Sequence, residues 1–158
     1  MASSRAFTGK AGEILIAEDS ATQAEQLRHL LEQEGYRVNV APNGRLALEA
    51  ARQHKPMLLI SDILMPEMDG YALCKAIKSD PDLRDVPVIM LTTLSSIQDI
   101  AMGLECGADN FLRKPYDSRS LLSRIENLLS NWELRQTNEM RTGLEIYLGG
   151  KRHFITSG

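Results

Sequence analysis

Short apolar runs alternate with longer amphipathic segments along most of this chain. "EILIAED" (13–19) is an apolar run closed by acids and predicts a strand. "SATQAEQLRHLLEQEG" (20–35) predicts a helix, with Ser20 as cap, Leu27, Leu30 and Leu31 on one face, and Gly35 as stop. "YRVNVA" (36–41) alternates like a strand. "NGRLALEAARQHK" (43–55) is the next helix, which Pro56 cannot continue. "MLLIS" (57–61) is a strand, and "DGYALCKAIKSD" (69–80) a helix closed by Pro81. "VPVIMLT" (86–92) is a strand, mostly apolar on both faces, followed by a helix over 95–107 that Gly107 stops. "NFLRK" (110–114) is a short strand, and a long helix over 117–136 is capped by Asp117 or Ser118.

This makes five strand–helix units in a row. Near-continuous apolar strands alternating with helices predict an α/β fold with a parallel sheet covered on both faces. Its crossovers are expected to be right-handed. In open sheets of this kind ligands bind beyond the carboxyl ends of the strands. The chemistry of the chain is therefore sought at those ends.

Four of the five ends carry it. The first strand ends in Glu18 and Asp19, the third in Asp62, the fourth in Thr92, and the fifth in Lys114 followed by Pro115. Each alone is unremarkable: an acid after a strand is more often a helix cap, and a lysine–proline pair is a common loop end. Together they bring three carboxylates, a hydroxyl and an ammonium to one sheet edge. Three clustered carboxylates raise one another's pKa unless a cation intervenes. Hard oxygen ligands with room for water suit Mg²⁺ better than zinc. A metal, a threonine hydroxyl and a lysine ammonium make a cradle for a phosphoryl group. An aspartate can be its nucleophilic acceptor. Asp62, on the third strand, is the best candidate, with Glu18 and Asp19 holding the metal.

Composition narrows the classes. The 158 residues carry a net charge of −3, which gives no global basic footprint for nucleic acid. No apolar run approaches the roughly 20 residues of a membrane helix. The start, "MASSRAFTGKAGE", lacks the apolar core of a signal peptide and argues for the cytoplasm. Residues 1–11 read as a flexible polar lead-in. Cys74 and Cys106 fall inside helical patterns and read as buried thiols. His29, His54 and His153 sit in no phosphotransfer motif and read as surface residues.

The motifs "ILIAEDS", "ISDILMPEMDG", "PVIMLTT", "ECGADNF" and "LRKPY" together resemble the receiver domain of two-component response regulators, over about residues 12–131. The resemblance implies a flavodoxin-like, doubly wound sheet with strand order 2-1-3-4-5. It implies Asp62 as phosphoacceptor, and Glu18, Asp19 and Asp62 as Mg²⁺ ligands together with the backbone carbonyl of Leu64. Thr92 matches the switch hydroxyl, Phe111 the aromatic switch position, Lys114 the family lysine, and Pro115 its cis-peptide partner. A sensor histidine kinase or phosphotransfer protein would supply the phosphoryl group. The output would pass through the face of the fourth helix, fifth strand and fifth helix. Such a domain catalyses its own phosphorylation and is not an enzyme on external substrates.

Three further features carry expectations. Glu18 stands where many members have Asp, so its metal contact is expected to run through water or the other acid. Leu64 and Leu94, which flank the phosphoryl site, are apolar and cannot orient a hydrolytic water, which predicts a long-lived phosphorylated state. After Leu129 the family pattern runs out: 132–158 reads as a helical extension, with Trp132 packed back on the receiver, meeting another subunit or simply a buried ring on a solvated helix end, then a hairpin around Gly149-Gly150. A lone hairpin is marginal, so it is expected to pack on the receiver, on a second copy or on a downstream domain, and the chain is expected to be the receiver of a larger, hybrid-kinase-like signalling protein. Two rival functions fit the residues less well. A metal-dependent phosphatase or phosphotransferase with an aspartyl nucleophile needs a second acid near Asp62 to protonate the leaving group, and Leu64 stands at the position two residues on. A degenerate binding module fits poorly with an intact five-residue site.

Overall fold

The computed structural model describes residues 12–93 and 97–131, with side chains left undescribed at 97–100. Five strands, β1 (Ile14–Ala17), β2 (Val38–Ala41), β3 (Leu58–Asp62), β4 (Val88–Thr92) and β5 (Asn110–Arg113), alternate with α1 (Ala21–Gln33), α2 (Gly44–Gln53), α3 (Gly70–Ser79) and α4 (Ile97–Glu105). Residues 118–131 are helical and form α5. The strands make one parallel sheet in the order β2-β1-β3-β4-β5. Both the alternation and the order match the expectation.

The alternation of side chains across a strand explains the double covering. Leu15 and Ala17 of β1, Leu59 of β3, and Val88 and Met90 of β4 share one cluster with Ala47, Leu48 and Ala51 of α2 and Leu73, Cys74 and Ile77 of α3. The intervening residues Ile14, Ile16, Leu58, Ile60, Ile89 and Leu91 are buried as well. Burying each such aliphatic side chain is worth about 1.5–3 kcal/mol. This holds the central strands in place. Cys74 and Cys106 are free and buried, as expected, and burial pushes the Cys74 thiol far up.

Every strand-to-helix loop with a described cap ends in a side chain that accepts a backbone N–H. Ser20 takes Gln23 N–H at 3.2 Å, Asn43 takes Leu46 at 2.8 Å, Asp69 takes Ala72 at 2.9 Å and Asp117 takes Ser120 at 3.2 Å. Asp117 rather than Ser118 thus starts α5, and Asn43 and Asp69, read as helical, are caps. Helices α1 and α4 stop near Gly35 and Gly107, both at φ +93°, where other residues are strained.

Strand boundaries moved more than helix starts. β4 begins at Val88 rather than at residue 86, because Val86 N–H turns back to Leu83 O at 2.9 Å and Pro87 has no N–H to give. β3 runs one residue further than expected, to Asp62, which stays in the ladder opposite Leu91.

The chain divides into two compact units, residues 1–122 and 123–158. All the strand-end residues singled out above lie in the first. In the second, residues 123–131 are helical. Residues 1–11, Leu94, Trp132 and the segment expected to form a hairpin lie outside the described residues. Among the described residues no helix is long and apolar enough to cross a membrane.

Candidate functional site

Sheet register decides which strand ends meet. Ala17 pairs with Ser61, so Glu18 leaves β1 level with Asp62. Asp62 pairs with Leu91, and Leu91 with Leu112, so Thr92 and Lys114 follow just beyond on β4 and β5. The Lys114 N–H bonds Thr92 O at 2.7 Å, which ties these two ends together. Residues 96 positions apart thus become neighbours: Lys114 Nζ lies 3.3 Å from Glu18 Oε1. It also lies 3.3 Å from Asp62 Oδ1.

The three acids converge as the sequence implied. Glu18, Asp19 and Asp62 each place one carboxylate oxygen within 4.8 Å of the others. Their settings differ. Glu18 is 5% exposed and Asp19 is exposed. The Asp62 side chain, 16% exposed, lies between these extremes. Burial pushes the Glu18 carboxyl above its ordinary value. The Ser20 N–H, 3.1 Å from Oε2, pulls it down, Asp62 pushes it up, and Lys114 pulls it down. A buried acid beside two others is an environment that a cation relieves. An all-oxygen set of three carboxylates fits Mg²⁺ rather than a thiophilic metal.

Asp62 is held firmly. Its Oδ1 accepts the Ile63 N–H at 3.0 Å as well as facing Lys114. The loop behind it closes on α3: Gly70 N–H bonds Ile63 O at 2.7 Å. A Cβ on Gly70 would sit 2.2 Å from Asp62 O, so only glycine permits this approach.

A pocket of about 240 Å³ gathers the set: Glu18, Asp19, Asp62, Leu64, Thr92 and Lys114 all line it. Thr92 is 6% exposed. Leu64, 62% exposed, presents an apolar side chain at the rim. Phe111, half-buried on β5, rests its ring on Gly103 of α4, away from this pocket. The Lys114–Pro115 peptide is cis, as the resemblance implied.

Two participants were missed from the sequence. Gln23, in the first turn of α1, accepts from Lys114 Nζ through Oε1 at 2.9 Å. Its signal was available: the first turn of a helix that follows a strand returns over that strand's carboxyl end. Tyr116 lines an adjoining cavity of about 540 Å³, and burial raises its phenol.

Known proteins match the stretch of chain that carries these residues. The model of the response regulator receiver domain matches residues 14–126. Histidine kinase P4 of Formosa agariphila is 42% identical over 118 residues, covering 75% of this chain and 8% of that protein. The chain spans less than two thirds of the length of the curated relatives it matches. The crystal structure of the signal receiver domain of a Syntrophus aciditrophicus signal transduction histidine kinase is 55% identical, with a TM-score of 0.73, covering 77% of this chain and 92% of that one. The receiver domain of sensor histidine kinase PA1611 from Pseudomonas aeruginosa PAO1, with a magnesium ion coordinated in its active site cleft, is 28% identical with a TM-score of 0.71, covering 76% and 99%.

Proposed function

Since the chain belongs to the response regulator receiver domain family, we propose that it takes a phosphoryl group onto Asp62 from the phosphohistidine of a sensor kinase or phosphotransfer protein. Receiver domains are signalling domains rather than enzymes acting on outside substrates. The single observation that carries the reading is the convergence of three carboxylates within 4.8 Å with the Lys114 ammonium 3.3 Å from Asp62.

The chain's own groups divide the work. The Asp62 oxygen not held by Ile63 and Lys114 attacks phosphorus. An O–P bond forms, the P–N bond breaks, and its electron pair returns to the imidazole nitrogen. The product is an acyl phosphate. Lys114 faces the carboxylate with a fixed positive charge and meets one phosphoryl oxygen. Thr92 gives its hydroxyl to another. Glu18, Asp19, Asp62 and the Leu64 carbonyl would hold Mg²⁺, which neutralises charge on the phosphoryl oxygens when bound. Leu64 at the rim offers no group to orient water, which supports a slow loss of phosphate.

The phosphorylated state then shifts a conformational equilibrium, with Thr92 and Phe111 as the switch pair and the face of α4, β5 and α5 as output. The matched span 14–126 supports a receiver unit over 12–131. Residues 132–158 would then lead to a downstream domain or a homodimer contact, and the protein would work in the cytoplasm.

The test is intact mass after incubation with Mg²⁺ and a small phosphoramidate. One added phosphoryl group on wild type, absent from Asp62→Ala, supports the reading. No adduct on wild type, despite Mg²⁺ binding seen by calorimetry, points instead to a module that binds partners without phosphorylation.

A further inference from the structure

Lys114 Nζ has three N–H donors and three oxygens around it. Gln23 Oε1 is nearest at 2.9 Å, ahead of Glu18 Oε1 and Asp62 Oδ1 at 3.3 Å each. The two carboxylates belong to the acidic cluster. Gln23 does not, and it stands on another element, α1, one turn from the Ser20 cap. It also stands at a boundary. Gln23, Glu18, Thr93 and Lys114 line both the phosphorylation pocket and the larger cavity that runs on to Leu27, Leu30 and Tyr116.

We propose that Gln23 is a positioning residue: its amide oxygen holds the Lys114 ammonium over Asp62 before phosphorylation, and yields that place to a phosphoryl oxygen. The inference rests on the reading of Asp62 as phosphoacceptor. The physical argument is a competition among three acceptors. Without Gln23, the buried, anionic Glu18 is the strongest remaining attraction, and it draws the ammonium away from Asp62. With Gln23 the pull from α1 balances it. When a phosphoryl oxygen arrives, one acceptor must leave. The neutral amide is the weakest of the three for an ammonium. Gln23 is also exposed, so it can turn to solvent at little cost. Releasing Glu18, or Asp62 while it is still a carboxylate, would leave a charge unpaired in a half-buried site, which is the costlier loss.

The experiment uses the full chain and a small phosphoramidate as donor at saturating Mg²⁺. Gln23→Met keeps the length of the side chain and removes the acceptor, and Gln23→Ser is a second variant without its reach. Both should slow adduct formation by about five-fold, the factor that one net hydrogen bond represents. In a Lys114→Met background the same substitutions should change the rate less than two-fold, because the partner is gone. The lysine ammonium signal assigned to Lys114, by its absence from Lys114→Met, should shift in Gln23→Met when observed by ¹⁵N NMR. Equal slowing with and without Lys114, or an unmoved ammonium signal, overturns the positioning role while leaving Asp62 as acceptor. A wild-type chain that takes no phosphoryl group overturns both.

Discussion

At the scale of single residues the site is a set of opposed charges held close to balance. Glu18 shows the tension most clearly. Its carboxyl is pushed up by burial and by Asp62, and pulled down by the Ser20 N–H and Lys114. A carboxyl with a raised folded pKa binds its proton more tightly in the folded state. That contribution is complete below the ordinary carboxylate value near 4.3 and is lost as pH rises through the raised value. Ionised Glu18 therefore weakens the metal-free protein at neutral pH. Glu18→Gln should melt a few degrees higher than wild type at pH 7.5 without divalent cations, by calorimetry. The gap should close as the pH approaches 4. The same variant should bind Mg²⁺ more weakly, so stability and function part company at one residue. Leu64 carries a second expectation. The phosphorylated wild type should keep its label for minutes or longer, and Leu64→Glu should shorten that lifetime by supplying an oxygen for water. A wild-type half-life of seconds, by loss of label, would refute this.

At the scale of elements, the site depends on how loops return from strand to helix. The β3–α3 loop closes so tightly that a Cβ at Gly70 would strike Asp62 O at 2.2 Å. Gly70→Ala must push the loop, α3 or both. The expected cost is about 1–3 kcal/mol in chemical unfolding, the usual range for overpacking. Phosphorylation should fall with it, because the displaced atom belongs to the acceptor's own backbone. Caps tell a related story. Ser20 was legible as a cap because it precedes a clear helical pattern. Asn43 and Asp69 were absorbed into helices, since pattern marks the apolar face and leaves the terminus within a residue or two. The start of β4 was misplaced for a similar reason. Val86 is as apolar as the strand it precedes, and only its hydrogen bond back to Leu83 shows that it belongs to a turn.

At the scale of the whole molecule, a cation that binds only the folded state adds to its stability. At about 100 times its Kd the gain is about 2.7 kcal/mol. Saturating Mg²⁺ should therefore raise the thermal midpoint by several degrees, and EDTA should reverse the rise. Asp19→Asn should lose most of the effect, because it removes one of the three negative charges that face the cation. Midpoints that do not respond to Mg²⁺ in wild type would show that the acidic cluster holds no cation.

Most of this protein was legible along the chain. Strand-helix alternation follows from local periodicity, which depends only on neighbours in sequence. The identity of the acids, hydroxyl and ammonium follows from their place at strand ends, because a parallel sheet delivers its carboxyl ends to one edge. The tertiary structure alone decided distance and competition. Sheet register brought Lys114 within 3.3 Å of Glu18 and Asp62. Packing buried Glu18 while leaving Asp19 exposed, although the two are adjacent in sequence. The turn of α1 gave Lys114 a third oxygen, from Gln23. These are contacts between groups far apart along the chain or on different elements, and no local pattern encodes the ångströms that separate them.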